Sequence, residues 1–120
     1  MSRILIIDDS AFMRKIISNI LESHGHEVIG EADNGKEGYD LYFKLKPDIV
    51  TMDITMPDYD GITCLKNIMH DDANAKIIMC SSLGQSKIVT EAIRAGAKDF
   101  IVKPFEASRI LETVNHVSIL

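Results

Sequence analysis

Short β-rich runs alternate along this chain with longer stretches that carry apolar side chains every three or four positions, and the alternation repeats five times. The β-rich runs are Arg3–Ile7, Glu27–Ala32, Ile49–Met52, Lys76–Cys80 and Phe100–Val102. The first helix-length stretch, AFMRKIISNILESH, sets Phe12, Ile16, Ile20 and Leu21 on one face, with Ser10 placed as its N-cap. The second, GKEGYDLYFKLK, gives Tyr39, Leu41, Tyr42 and Leu45 and stops before Pro47. GITCLKNIM follows with Ile62, Leu65, Ile68 and Met69; SKIVTEAIRAG uses Ile88, Val89, Ala92 and Ile93 and stops at Gly96. The last, ASRILETVNHV, uses Ile110, Leu111, Val114 and Val117. Repetition of this kind builds a parallel sheet, because right-handed crossovers lay helices against both faces. The fold class is α/β.

An open parallel sheet binds ligands beyond the carboxyl ends of its strands, so the residues just after each strand converge on one crevice. Here those residues are Asp8 and Asp9, then Asp53, then Ser81 and Ser82, then Lys103 and Pro104. Asp53 stands out, because it interrupts the apolar run DIVTMDITM, where an unused charge is expensive. Three carboxylates about 4–5 Å apart would repel by roughly 3–4 kcal/mol per pair at an effective dielectric of about 20. In sum that rivals the net stability of a domain. Either some carboxyls stay protonated or a cation is bound. Oxygen donors alone, few in number, suit Mg²⁺ or Mn²⁺ better than zinc.

A carboxylate beside such a cation and a fixed ammonium is placed for phosphoryl transfer. Asp53 would attack phosphorus to give an acyl phosphate, with Lys103 neutralising the phosphoryl oxygens and the Ser81 hydroxyl donating to one of them. Pro104 would fix the turn that holds Lys103, through a cis Lys-Pro bond. Gly61 and Pro57 shape the loop that follows Asp53.

Composition excludes several other classes. The net charge is −5, from 13 basic and 18 acidic residues, which argues against non-specific nucleic-acid binding. No apolar run approaches the ~20 residues of a membrane span, and acids interrupt MSRILII too early for a signal peptide. One cytoplasmic domain over residues 1–120 is expected. Cys64 and Cys80 sit singly in apolar stretches and read as reduced core thiols. His24 and His26 bracket Gly25 and read as a solvated turn. GEADNGKE has the glycine spacing of a phosphate loop, but Glu37 stands where Ser or Thr is needed. DYDG lacks the first and last ligands of a calcium loop.

The segments IIDDS, MDITMPDYDG, CSS and DFIVKPF, in this order and spacing, resemble the receiver domain of two-component response regulators, over essentially the whole chain. That resemblance implies a flavodoxin-like open sheet of strand order 2-1-3-4-5 with five helices on both faces. It implies phosphorylation of Asp53 by a CheA-like histidine kinase. Mg²⁺, with Mn²⁺ as a substitute, would be held by Asp9, Asp53 and the backbone carbonyl of Thr55, with Asp8 acting through water. Lys103 takes the phosphate-binding role, Ser81 that of the switch hydroxyl, and Phe100 that of the rotating aromatic. Thr55 and Leu83 occupy the positions that tune acyl-phosphate lifetime.

Within the family, DDSAFMR, the LGQ after the serines and a chain end directly after the fifth helix resemble the single-domain chemotaxis regulators. Such a protein has no effector domain. It is a switch, limited to its own phosphoryl transfer and slow autodephosphorylation. Its output would be contact with the flagellar motor switch through a face holding Gly84, Ile88, Phe100, Val102 and residues near Thr113, with a phosphatase as a further partner. Rival receiver roles are a phosphorelay intermediate and the front end of a larger regulator such as the chemotaxis methylesterase. An aspartyl-phosphate phosphatase would want D-x-D after the first strand, and an FMN binder would be repelled by DDS.

Overall fold

The computed structural model describes residues 1–120. In chain order the elements are β1 (Arg3–Ile7), α1 (Ala11–Glu22), β2 (Glu27–Ala32), α2 (Gly35–Leu45), β3 (Ile49–Met52), α3 (Gly61–Asp71), β4 (Ile77–Ser81), α4 (Ser86–Arg94), β5 (Asp99–Val102) and α5 (Ala107–Ser118). All strand pairs are parallel, and the sheet order is β2-β1-β3-β4-β5. The α/β, flavodoxin-like expectation holds.

Strand side chains alternate between two cores. Leu5, Ile7, Val50, Met52, Ile77 and Met79 face α2, α3 and α4, where Tyr42, Leu65, Ile68 and Ala92 pack on them. Ile4, Ile6, Ile49, Ile78 and Ile101 face α1 and α5 and meet Ile17, Leu21, Ile110, Val114 and Val117. A strand buried on both faces has no reason to alternate polar with apolar residues, which is why RILII and IIMCS read as continuous runs. No helix is long and apolar enough to cross a membrane.

Side chains set three helix starts. Ser10 Oγ accepts from the Met13 N–H at 3.1 Å, Asn34 Oδ1 from Glu37 at 2.9 Å, and Asp60 Oδ1 from Thr63 at 2.8 Å. Gly96, with φ +116°, supplies the left-handed turn after α4.

Three expectations need correction. Ile93 does not join the packed face of α4; it is exposed, and Ala92, one position earlier, is the residue that the core takes in. Phe12 does not join the buried face of α1; it projects into solvent at 74% exposure, and Ile17 is buried in its stead beside Leu21, which is buried as expected. The stripes 12-16-20 and 13-17-21 overlap on one helix, and the sheet takes the one that centres on Ile17. His26 is not solvated either. It is buried at the start of β2, and its Nδ1 accepts from the Ser2 N–H at 3.1 Å.

Candidate functional site at the carboxyl edge of the sheet

The chain leaves β1 through α1 toward β2 and leaves the neighbouring β3 through α3 toward β4 on the other side, which opens a crevice at the carboxyl ends of β1 and β3. Asp8 and Asp9 follow β1 directly, and Asp53 follows β3. The backbone ladder carries one step past both strands: Asp8 N–H donates to Ala32 O at 3.0 Å, and Asp53 N–H to Ile7 O at 2.9 Å. The two carboxylates are therefore held by the sheet itself. One oxygen from each of Asp8, Asp9 and Asp53 lies within 4.8 Å of the others.

Asp8 is almost fully buried; its Oδ1 accepts from the Ser10 N–H at 2.9 Å and its Oδ2 from Lys103 Nζ at 2.8 Å. Asp53 is buried as well; Oδ1 accepts from the Ile54 N–H at 2.8 Å, and Oδ2 is 3.7 Å from Lys103 Nζ. Asp9 is exposed at the mouth. Lys103 arrives just beyond β5, tied by its N–H to Ser81 O at 2.9 Å, and the Lys103–Pro104 peptide is cis, as expected.

Burial pushes the Asp53 carboxyl above its usual range; Lys103 and the Ile54 N–H pull the other way, while Asp8 and Asp9 add to the rise. Burial alone would lower the Lys103 pKa, but the hydrogen bond to Asp8 and the charges of Asp53 and Asp8 raise it overall, so the ammonium stays charged. Three carboxylates and one ammonium (−3 + 1) leave a formal charge of −2 on this cluster. Hard oxygen donors, an uncompensated double negative charge and an open side at Asp9 fit a divalent ion such as Mg²⁺.

The other expected residues stand around this cluster. Ser81 is the last residue of β4 and is buried; its Oγ accepts from the Leu83 N–H at 3.1 Å, which leaves its own proton unused in that bond. Since α4 begins only at Ser86, neither Ser81 nor Ser82 caps it. Phe100 lies inside the α2–α4 core, beside β4 in register with Met79, and not among the acids. Thr55 is exposed on the loop after Asp53. Along the expected output face, Val102 is 48% exposed and Ile88 half-buried. A Cβ on Gly84 would lie 2.8 Å from the Val102 side chain, so the β4–α4 loop rests on β5.

The loop between Asp53 and α3 is folded back on itself. The Gly61 N–H donates to Ile54 O at 2.6 Å, and a Cβ at Gly61 would sit 2.0 Å from the Asp53 carbonyl oxygen. Only glycine permits that approach. At its tip, Asp58 accepts from the Gly35 and Lys36 N–H groups at 2.9 and 2.8 Å, which moors the loop to the start of α2. Nothing local in DYDG signals this contact, because its partners lie more than twenty residues upstream. Arg14 also escaped the sequence reading. A polar residue on an amphipathic helix reads as solvated, yet Arg14 Nη1 donates to the Asp8 carbonyl at 2.7 Å.

An open parallel sheet with an acidic triad and a lysine at its carboxyl edge defines the receiver class of signalling domain, not a metabolic enzyme. The chain belongs to the response regulator receiver domain family, whose description matches residues 4–115. It is 60% identical over 116 residues to the chemotaxis protein CheY of Thermotoga maritima, covering 97% of each chain. To the CheY of Bacillus subtilis it is 59% identical over 113 residues, 94% of each. Among solved structures, the CheX–CheY–BeF₃–Mg²⁺ complex from Borrelia burgdorferi superposes with a TM-score of 0.94 at 45% identity, over 96% of this chain and 87% of that one.

Proposed function

We propose that this protein is a phosphorylation-activated chemotaxis switch of the CheY kind, which accepts a phosphoryl group on Asp53 from the phosphohistidine of a histidine kinase. The observation that carries this reading is the placement of Lys103 Nζ, 2.8 Å from Asp8 and 3.7 Å from Asp53, beside two acids that a divalent cation would satisfy. An Asp53 oxygen forms the new bond to phosphorus as the phosphorus–nitrogen bond to the donor imidazole breaks. Asp8, Asp9, Asp53 and the Thr55 carbonyl would hold Mg²⁺ or Mn²⁺, which when bound supplies positive charge to the phosphoryl oxygens.

After transfer, a phosphoryl dianion at Asp53 competes with Asp8 for Lys103, and the unused Ser81 proton turns toward a phosphoryl oxygen. Ser81 then releases the Leu83 N–H, which loosens the β4–α4 loop. Phe100 is already packed in the α2–α4 core, so the change at the loop acts on the face formed by Gly84, Ile88, Val102 and the neighbourhood of Thr113, which is reshaped for its partner. Moving such a two-state equilibrium from 1:99 to 99:1 takes about 5.5 kcal/mol. Several charge-assisted contacts to a dianion are of that order, at roughly 1.5–3 kcal/mol each.

The partners are a histidine kinase, a phosphatase and, for output, the flagellar motor switch, all met in the cytoplasm, with residues 1–120 acting as one receiver. Identities of 60% and 59% to two CheY proteins favour this output. Incubation with a small acyl-phosphate donor and Mg²⁺ should add one phosphoryl mass to the wild type and none to Asp53→Asn. Equal gain in that variant overturns the reading. Capture on an immobilised motor-switch protein should rise on phosphorylation; a phosphorelay intermediate would instead pass its label to a second histidine domain.

A further inference from the structure

We propose that Arg14 is a positioning residue for the acidic cluster: by gripping the Asp8 carbonyl it orients the peptide that carries Asp9, and so sets the affinity for Mg²⁺. The inference rests on the cation site described above. Every polar handle of Asp8 is engaged. Its N–H goes to Ala32 O at 3.0 Å, Oδ1 to the Ser10 N–H at 2.9 Å, Oδ2 to Lys103 at 2.8 Å, and its carbonyl to Arg14 Nη1 at 2.7 Å. Three of these hold Asp8 alone. The fourth does more, because the peptide bond is planar and the Asp8 carbonyl shares its plane with the Asp9 nitrogen and Cα.

Asp9 is the exposed member of the triad, and a surface carboxylate is free to swing unless its backbone is fixed. Arg14 is itself well placed to fix it. Its side chain is only 18% exposed, and its Nε pairs with Glu31 Oε1 on β2 at 3.0 Å. The guanidinium thus spans α1, β2 and the β1–α1 junction, with rigid elements on both sides. Arginine suits this task because its planar fork can hold two acceptors at once, which a lysine ammonium does less rigidly.

The sign of the effect separates this role from plain electrostatics. Arg14 is a cation beside an acidic cluster, so its charge alone opposes a bound divalent ion, and removing it would tighten binding. Loss of orientation weakens binding instead. Outer-shell partners of metal ligands are typically worth tenfold or more in affinity.

The test is calorimetric titration of the full chain with MgCl₂, wild type first. Arg14→Met should raise the Mg²⁺ dissociation constant about tenfold. Arg14→Lys keeps the charge and reaches one acceptor at a time, and should fall between the wild type and Arg14→Met. Phosphorylation by a small donor should be restored in both variants at saturating Mg²⁺. A dissociation constant unchanged or lowered in both variants, with urea midpoints showing them folded, overturns the role of Arg14. Should Arg14→Met fail to fold, Arg14→Lys decides alone on the same criterion. A wild type that takes up no Mg²⁺ overturns the cation site itself, and this inference with it.

Discussion

Lys103 reaches the carboxylate of Asp8 at 2.8 Å, closer than it comes to Asp53, at 3.7 Å. The ammonium therefore neutralises the deepest acid and leaves the candidate phospho-acceptor under-compensated. A group held in this way can be drawn across a short distance by a stronger anion, and the pair reads as the spring of the switch.

That geometry predicts the behaviour of Lys103→Met. Removing one partner of a buried ion pair strands the other, at a cost of about 3–5 kcal/mol. The Mg²⁺-free variant should lose roughly 3 kcal/mol in urea unfolding. Mg²⁺ should recover most of the loss, since the remaining acids attract it more strongly. Phosphorylation should then no longer raise affinity for the motor switch. A variant with wild-type stability and no added response to Mg²⁺ would contradict the pairing.

Gly61 makes a second prediction, about the mount of Asp53. A methyl group at this position would stand 2.0 Å from the Asp53 carbonyl oxygen, a backbone atom that cannot swing aside. Gly61→Ala should lower stability by about 2 kcal/mol, in the range of overpacked sites. Phosphorylation by a small donor should slow more than stability alone explains, because the loop must shift Asp53 itself. Normal kinetics in a folded Gly61→Ala protein would show that the loop has slack.

The opposite sign is expected at Thr51. It is buried on β3, two positions before Asp53, and its hydroxyl has no hydrogen-bond partner. An unpaired buried hydroxyl typically costs about 1–3 kcal/mol. Thr51→Val keeps the branched shape on a strand and removes that oxygen, so it should stabilise by about 1 kcal/mol and raise Tm by several degrees. A lower Tm would mean that Thr51 finds a partner in solution.

How far the sequence carried these conclusions depended on the range of each interaction. The strands, the sheet edge and the meeting of Asp8, Asp9, Asp53 and Lys103 follow from periodicity and topology, which are written locally. Two overlapping apolar stripes on α1 look alike in sequence, and only docking on β1 and β2 selects Ile17 over Phe12. Arg14 donates to a backbone carbonyl and Asp58 accepts from backbone N–H groups, and a backbone partner leaves no mark in a sequence. His26 was misjudged for the same reason, since the donor it satisfies is the Ser2 N–H.

His26 yields the last prediction. Burial lowers its pKa first, the nearby N-terminal ammonium and His24 lower it further, and a hydrogen bond with Asn115 opposes them. The folded protein therefore resists a proton that the unfolded chain accepts near pH 6.5. Where the unfolded state binds more protons, stability falls as pH falls. The contribution of His26 is thus complete above about pH 7 and is lost as pH drops through 6.5 toward the lower folded value. Protonation would also turn Nδ1 into a donor facing the Ser2 N–H, which breaks one of the ties between the chain start and β2 and leaves the Glu27 N–H to Ser2 O bond, at 2.9 Å, to hold it. Urea midpoints at about pH 7.5, 6.5 and 5.5 should decline for the wild type. In His26→Gln they should start lower and decline less across the same interval, because the replacement cannot titrate. Parallel declines in the two proteins would assign the pH response to other groups and remove His26 from the account.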